Sequence, residues 1–285
     1  MKRLSKKLQA FNELVMFEHS IFSLPFIFIA MVVAADGWFG MFLLIMGVFA
    51  AVSARNFAMG LNRFADRDID ALNPRTASRP NVDGRLDASS ILIFTIVNAL
   101  VFIAVAYLIN PLAFKLSIPI LFVLGSYSYF KRFSSFAHIV LGISLGLAPI
   151  AGVVAVLAEI TPWSVMLSLG VIFWVAGFDL LYSLQDMEFD KQNNLHSIPS
   201  KYGSDATLTL SALFHMLTIV FWSMFIWTAE LGIFALIAVI LSALMLSYEH
   251  YLVRKDFTKI DRVFFTVNGY LGIAFFILII LDKVV

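Results

Sequence analysis

The chain has 285 residues, of which 61% are hydrophobic and 14% charged, and its mean hydropathy is +0.91. Soluble domains are about 45–50% apolar and about 25% charged, so an ordinary soluble protein is excluded. A net charge of +1 gives no basic field for nucleic acid, and the lack of cysteine excludes disulfides, thiol nucleophiles and cysteine-ligated metal centres.

Taken in order, apolar runs fall near 19–36, 38–58, 90–109, 112–130, 136–158, 163–184, 208–228, 231–249 and 263–282. Each is close to the roughly 20 residues that cross a bilayer as a helix. Helices are expected because a lone strand cannot satisfy its backbone in lipid, and a membrane barrel would alternate in character. The first run follows Lys2, Arg3, Lys6 and Lys7 and is read as a span, not a signal peptide, because a second run follows at once. No Pro/Gly/Ser linker interrupts the chain, so residues 1–285 read as one domain. The expected fold is an all-α polytopic bundle of about nine spans around a central cavity open to the cytoplasm.

Orientation follows from Lys and Arg. With the N-terminus inside, seventeen of the twenty fall in inside segments; Arg55, Lys115 and Lys283 are the exceptions. The N-terminus is therefore expected on the cytoplasmic side with lipid as a partner, and the expected location is a bacterial inner membrane. Two connections are long, about 59–89 and about 185–207, and both fall on the cytoplasmic side. Long loops in a compact bundle are where function concentrates.

Both carry acids in a helical pattern. Asn62, Asp66 and Asp70 are spaced i, i+4, i+8, and Arg55 and Met59 extend that face backwards. Asp179, Tyr182, Asp186 and Asp190 follow at +3, +4 and +4. Asp66 to Asp186 and Asp70 to Asp190 are each 120 residues, the mark of a parallel internal duplication. One D-x-x-x-D pair on a surface helix is ordinarily a solvated face. Two pairs at the same membrane end are harder to explain that way, because burying like charges is costly unless they are paired or bind metal. An all-oxygen set suits magnesium, which is commonly shared with substrate phosphates. Arg67, Arg75, Arg79, Lys131, Arg132 and Lys191 are available for the remaining diphosphate oxygens. The residues alone therefore read as a cytoplasm-facing, metal-dependent diphosphate site above an apolar cavity. Arg55, two turns before Asn62, is the candidate anchor for an acceptor carboxylate, against the alternative that it snorkels to the interface. Tyr182 is read equally as an orienter of Asp or phosphate and as an interfacial aromatic. The scattered histidines, His138 among them, read as packing residues.

These patterns resemble the signatures of the UbiA family of intramembrane prenyltransferases, N-x-x-x-D-x-x-x-D and D-x-x-Y-x-x-x-D-x-x-x-D. Arg75-Thr76-Ala77-Ser78-Arg79-Pro80 resembles the R-T-x-x-R-P after the first motif, and Tyr129-Phe130-Lys131-Arg132 resembles the Y-x-K-R after span four. The resemblance implies two magnesium ions held by Asn62, Asp66, Asp70, Asp186 and Asp190, which bridge the diphosphate of a polyprenyl donor. It implies that Arg67, Lys131 and Arg132 clamp the diphosphate, and that Asp179 and Tyr182 also serve substrate. Phe17-Glu18-His19-Ser20-Ile21-Phe22-Ser23, Asn73-Pro74-Arg75, Leu184-Gln185-Asp186 and His196-Ser197-Ile198-Pro199 resemble the 4-hydroxybenzoate polyprenyltransferase-like subgroup. Some members of that subgroup use a dihydroxynaphthoate in the futalosine route to menaquinone. Arg63 stands where the family commonly has Asp. The implied activity is prenyl transfer to a hydroxylated aromatic acid in ubiquinone or menaquinone synthesis, by electrophilic aromatic substitution. A transporter would place its acids near the bilayer midplane, and a CDP-alcohol phosphotransferase would hold them in one compact motif.

Overall fold

The computed structural model describes residues 2–16 and 24–284, and every regular element among them is helical. In chain order these are α1 (Lys2–Val15), α2 (Leu24–Ala34), α3 (Met41–Ala65), α4 (Arg67–Leu72), α5 (Ala88–Ile109) and α6 (Pro111–Phe130). They continue with α7 (Ala137–Leu157), α8 (Pro162–Ser183), α9 (Met187–Gln192), α10 (Ile198–Thr228), α11 (Ile233–Lys255) and α12 (Ile260–Val284). Short 3-10 turns at Leu184–Asp186 and Phe257–Lys259 precede α9 and α12.

Eight helices are long and apolar enough to cross a membrane: α3, α5, α6, α7, α8 running on to Gln192, α10, α11 and Phe264–Val284 of α12. They coincide with eight of the expected spans. The described part of the ninth, expected at 19–36, is α2, an apolar helix of 11 residues. The Phe17–Ser23 motif lies outside the described residues.

The expected loops contain helix over about half of 59–89 and most of 185–207. Helix α3 runs to Ala65 and α4 follows, leaving 73–87 as the irregular stretch; helical turns likewise cover 184–192, and α10 begins at Ile198. Polar residues there mark where the chain leaves the apolar layer, not where helical hydrogen bonding stops. In α10 the helical path is interrupted at Gly203 (φ 82, ψ 177), a conformation open only to glycine.

The backbone contacts divide the chain into two compact units, residues 1–20 with 48–129, and residues 21–47 with 130–285. The chain passes between them three times: after residue 20, outside the described residues, within α3, and at the end of α6. In the first unit, Ala10 and Leu14 of α1 pack with Leu86 and Ile91, and Phe11 stacks on Phe94 at 4.7 Å. Arg85 donates to both Glu13 carboxylate oxygens and ties α1 to the turn before α5.

In the second unit α8 is central, with 67% of its apolar window buried. Around it Trp174, Trp222, Phe26, Phe225 and Phe275 are fully enclosed, with Phe26 stacked on Trp222 at 5.4 Å and Trp222 tilted on Phe275 at 4.6 Å. Within lipid, helix association draws on such close packing, because the hydrophobic effect gives no preference for a neighbour over a lipid tail. Gly142 and Gly146 form a G-x-x-x-G step on α7, where an added Cβ would strike the Ile172 carbonyl and side chain. The close α7–α8 contact brings His138, near the start of α7, against Asp179 on α8.

Candidate active site

The first acid motif is built by a kink that keeps helical hydrogen bonds. Asp66 stands between α3 and α4 with φ −94 and ψ 7, in the bridge region. Its N–H still donates to the Asn62 carbonyl at 2.8 Å, and the Asp70 N–H donates to the Asp66 carbonyl at 2.7 Å. The i, i+4, i+8 spacing therefore holds through the junction as the sequence implies. Asn62, Asp66 and Asp70 are all buried. Asn62 Nδ2 donates to Asp66 Oδ2 at 2.9 Å.

Asp70 is heavily engaged. Arg79 Nη1 donates to Oδ1 at 2.7 Å and Asn81 Nδ2 donates to Oδ2 at 3.0 Å. Buried Arg63 lies 3.9 Å from Oδ2. The R-T-x-x-R-P stretch explains how Arg79 returns to the acid: Asn73 and Thr76 close a turn, and the Thr76 hydroxyl donates to the Asp70 carbonyl at 2.7 Å. Arg63 and Arg79 thus balance the charge of Asp66 and Asp70, as buried carboxylates require.

Arg55 and Arg63 also serve the C-terminal end of α1. Arg55 Nη2 donates to the Val15 and Met16 carbonyls at 3.2 and 2.8 Å, and Arg63 Nε donates to the Leu14 carbonyl at 3.4 Å. These carbonyls have no partner within the helix, and cations are favoured there. Arg55 is not wholly occupied by these bonds: its buried Nε donates to nothing among the described residues. Arg67, expected as a diphosphate clamp, is exposed, donates to the Phe64 carbonyl at 2.7 Å and lies over the Phe64 ring.

The second motif repeats the local path of the first. Asp186 stands at the junction before α9 with φ −96 and ψ 1, close to the values of Asp66. Helices α4 and α9 each have six residues with the second aspartate fourth, and each is followed by an asparagine, Asn73 or Asn193, again 120 residues apart. The duplication seen in the sequence therefore extends to the backbone. Past the asparagines the paths diverge.

Ser197, Asp186, Lys131 and His138 lie close enough to Asp190 to act on its carboxyl. The His196 N–H donates to the Lys131 carbonyl at 2.8 Å and ties the Y-x-K-R turn to the second motif. Lys131 is half-buried and Arg132 exposed. Tyr182 packs on Phe264 with ring centroids 4.4 Å apart. Asp179 accepts from His138 Nδ1 at 2.7 Å.

Sequence reasoning missed Asn81 and His138, and did not single out Arg79 among the basic residues. Arg79 carried a signal in the R-T-x-x-R-P stretch. Asn81 and His138 carried none, since their roles come from a turn and from a helix–helix contact. Among the described residues no three Asp, Glu or His side chains gather on one point in either unit. The donor set nonetheless fits magnesium. Asn62, Asp66 and Asp70 in one unit and Asp186 and Asp190 in the other offer only hard oxygens, and each carboxylate oxygen keeps lone pairs beyond the bonds described.

A polytopic helical membrane protein with two repeated acid junctions is the class that this fold and these residues define. The chain belongs to the UbiA prenyltransferase family, whose model matches residues 23–280. It is 28% identical over 249 residues to the 4-hydroxybenzoate octaprenyltransferase of Albidiferax ferrireducens, covering 87% of this chain and 83% of that one. To the enzyme of the same name from Saccharophagus degradans it is 25% identical over 253 residues, covering 89% and 84%. Among solved structures, the apo form of a UbiA homolog from Aeropyrum pernix K1 superposes with a TM-score of 0.85 at 30% identity, covering 93% of this chain and 98% of that one. A UbiA homolog from Archaeoglobus fulgidus bound to GPP and Mg2+ shares the fold, with a TM-score of 0.76 at 19% identity and coverage of 95% and 99%.

Proposed function

We propose that this protein transfers a polyprenyl chain from its diphosphate to a hydroxylated aromatic acid of the 4-hydroxybenzoate type, in quinone synthesis at a bacterial inner membrane. The observation that carries the proposal is the repeated acid junction, with Asp66 and Asp186 in matching backbone conformations and Asp70 and Asp190 one turn on. Family membership and the names of the curated relatives support the reaction class and the acceptor. The fulgidus homolog bound to GPP and Mg2+ supports the donor and the metal.

In this reading Asn62, Asp66, Asp70, Asp186 and Asp190 hold magnesium, two ions in all. Bound magnesium supplies Lewis-acid stabilisation of the charge on the leaving diphosphate. Lys131 and Arg132 take diphosphate oxygens, while Arg79 keeps Asp70 oriented and neutralised. Arg55 offers its Nε to the acceptor carboxylate. The allylic carbon, freed from diphosphate, joins a ring carbon beside the acceptor hydroxyl, and the apolar bundle keeps water from that carbon. The excess of Lys and Arg on one set of connections supports a cytoplasmic N-terminus and cytoplasmic acid motifs.

An acceptor panel tests the proposal. Purified protein, magnesium and a polyprenyl diphosphate are incubated with 4-hydroxybenzoate and with dihydroxynaphthoates, and products are read by mass. The expected product is prenylated 4-hydroxybenzoate. A prenylated dihydroxynaphthoate alone would move the function to menaquinone synthesis, and no prenylated ring acid at all would refute it.

A further inference from the structure

The 120-residue repeat separates residues that recur from residues that do not. Asp66 and Asp70 recur as Asp186 and Asp190, and Asn62 aligns with Tyr182. At the position of Asp179 the first copy has Met59. A diphosphate with its cations presents similar oxygens to both copies, so the recurring acids suit that task. An acid present in one copy alone suits the substrate that has no counterpart, the aromatic acceptor.

Asp179 has the geometry of a working acid–base group. It lies within α8, seven residues before Asp186 and about 10 Å along the axis at 1.5 Å per residue. His138 Nδ1 holds Oδ2 at 2.7 Å. A carboxylate only accepts, so Nδ1 carries the hydrogen of this bond and the imidazole is fixed in one tautomer. His138 is buried, whereas the Asp179 side chain is 22% exposed, and nothing among the described residues donates to its Oδ1. A buried orienter behind an accessible acceptor is the arrangement of a supported general base.

Resting on the acceptor reading above, we propose that Asp179 removes the ring proton after prenyl transfer and that His138 is its positioning residue. The bond between the donor's first carbon and diphosphate breaks with its electron pair on the diphosphate oxygen. A ring π pair then forms the new C–C bond. The ring C–H bond breaks next, its pair restores the aromatic ring, and the proton passes to Asp179 Oδ1. Water takes it when product leaves. The Nδ1–H of His138 keeps the other oxygen turned away throughout.

The test uses the full chain in detergent with an acceptor deuterated beside its hydroxyl. His138→Phe removes the donor, and His138→Asn restores an amide N–H near the place of Nδ1. His138→Phe is expected to lower kcat about 100-fold, with donor KM within about threefold of wild type, and to unmask a primary isotope effect of at least about twofold. His138→Asn should recover most of the turnover and lose the isotope effect. Asp179→Asn should show the same isotope effect, and it decides the matter if the histidine variant does not fold. Unchanged kcat, or loss of turnover without an isotope effect, would overturn the proposal. A wild-type protein that prenylates no ring acid would overturn the acceptor reading and this inference with it. An active wild type with an indifferent His138→Phe would overturn this inference alone.

Discussion

Asp70 shows what it takes to keep a carboxylate buried at a membrane edge. Its two oxygens meet Arg79 and Asn81, and Arg63 stands behind them. Removing Arg79 leaves a charge that water reaches poorly, which costs about 1–3 kcal/mol. Arg79→Ala is therefore expected to lower the unfolding midpoint and to weaken donor binding, measured as thermal unfolding and donor KM. Arg79→Lys should restore charge but not the full geometry, since a planar fork is replaced by a point charge. Wild-type stability and donor KM in Arg79→Ala would show that Asn81 and Arg63 suffice. The acids themselves were legible in the sequence because their spacing is the helical period. Their partners were not, because Arg79 and Asn81 reach Asp70 only through the turn that Asn73 and Thr76 close.

Among the elements, α1 is fastened at its C-terminal end from two directions. Arg55 and Arg63 donate to its last carbonyls, and Arg85 donates to Glu13. The hydrogen bond from Arg85 holds the Glu13 carboxyl below its usual range. A depressed folded-state value means that the pair favours the folded end of α1 above about pH 4.5, the ordinary carboxyl value. That contribution is lost as pH falls through the lower folded value. Protection of the α1 amides against hydrogen exchange, corrected for intrinsic rates, is expected to fall below pH 4.5, and Glu13→Gln should show the same loss at pH 7. Protection that ignores both changes would leave the arginines as the whole fastening. Of these elements, the long spans were legible from apolar length alone. The helical character of 62–70 and 179–190 was legible only through the spacing of the acids, because polar residues end a membrane-like pattern without ending a helix. The α7–α8 approach was hidden, although Gly142 and Gly146 are spaced for it.

At the scale of the whole molecule, one short design occurs twice: an aspartate at a kinked helix end, a six-residue helix with a second aspartate, and an asparagine beyond. Each compact unit carries one copy. The copies differ in Arg63 and Arg79 on the first and in Asp179 with His138 on the second. The family, the span pattern and the acid pairs followed from sequence, since period and composition encode them. The division into two units did not, because two of its three crossings fall inside α3 and α6. The central claim is that both copies serve one magnesium-dependent prenyl transfer. Turnover of polyprenyl diphosphate with the acceptor, measured for folded Asp66→Asn and Asp186→Asn, tests it most directly. Each substitution alone is expected to reduce magnesium-dependent product at least about 100-fold. Substantial turnover in either folded variant would contradict the claim.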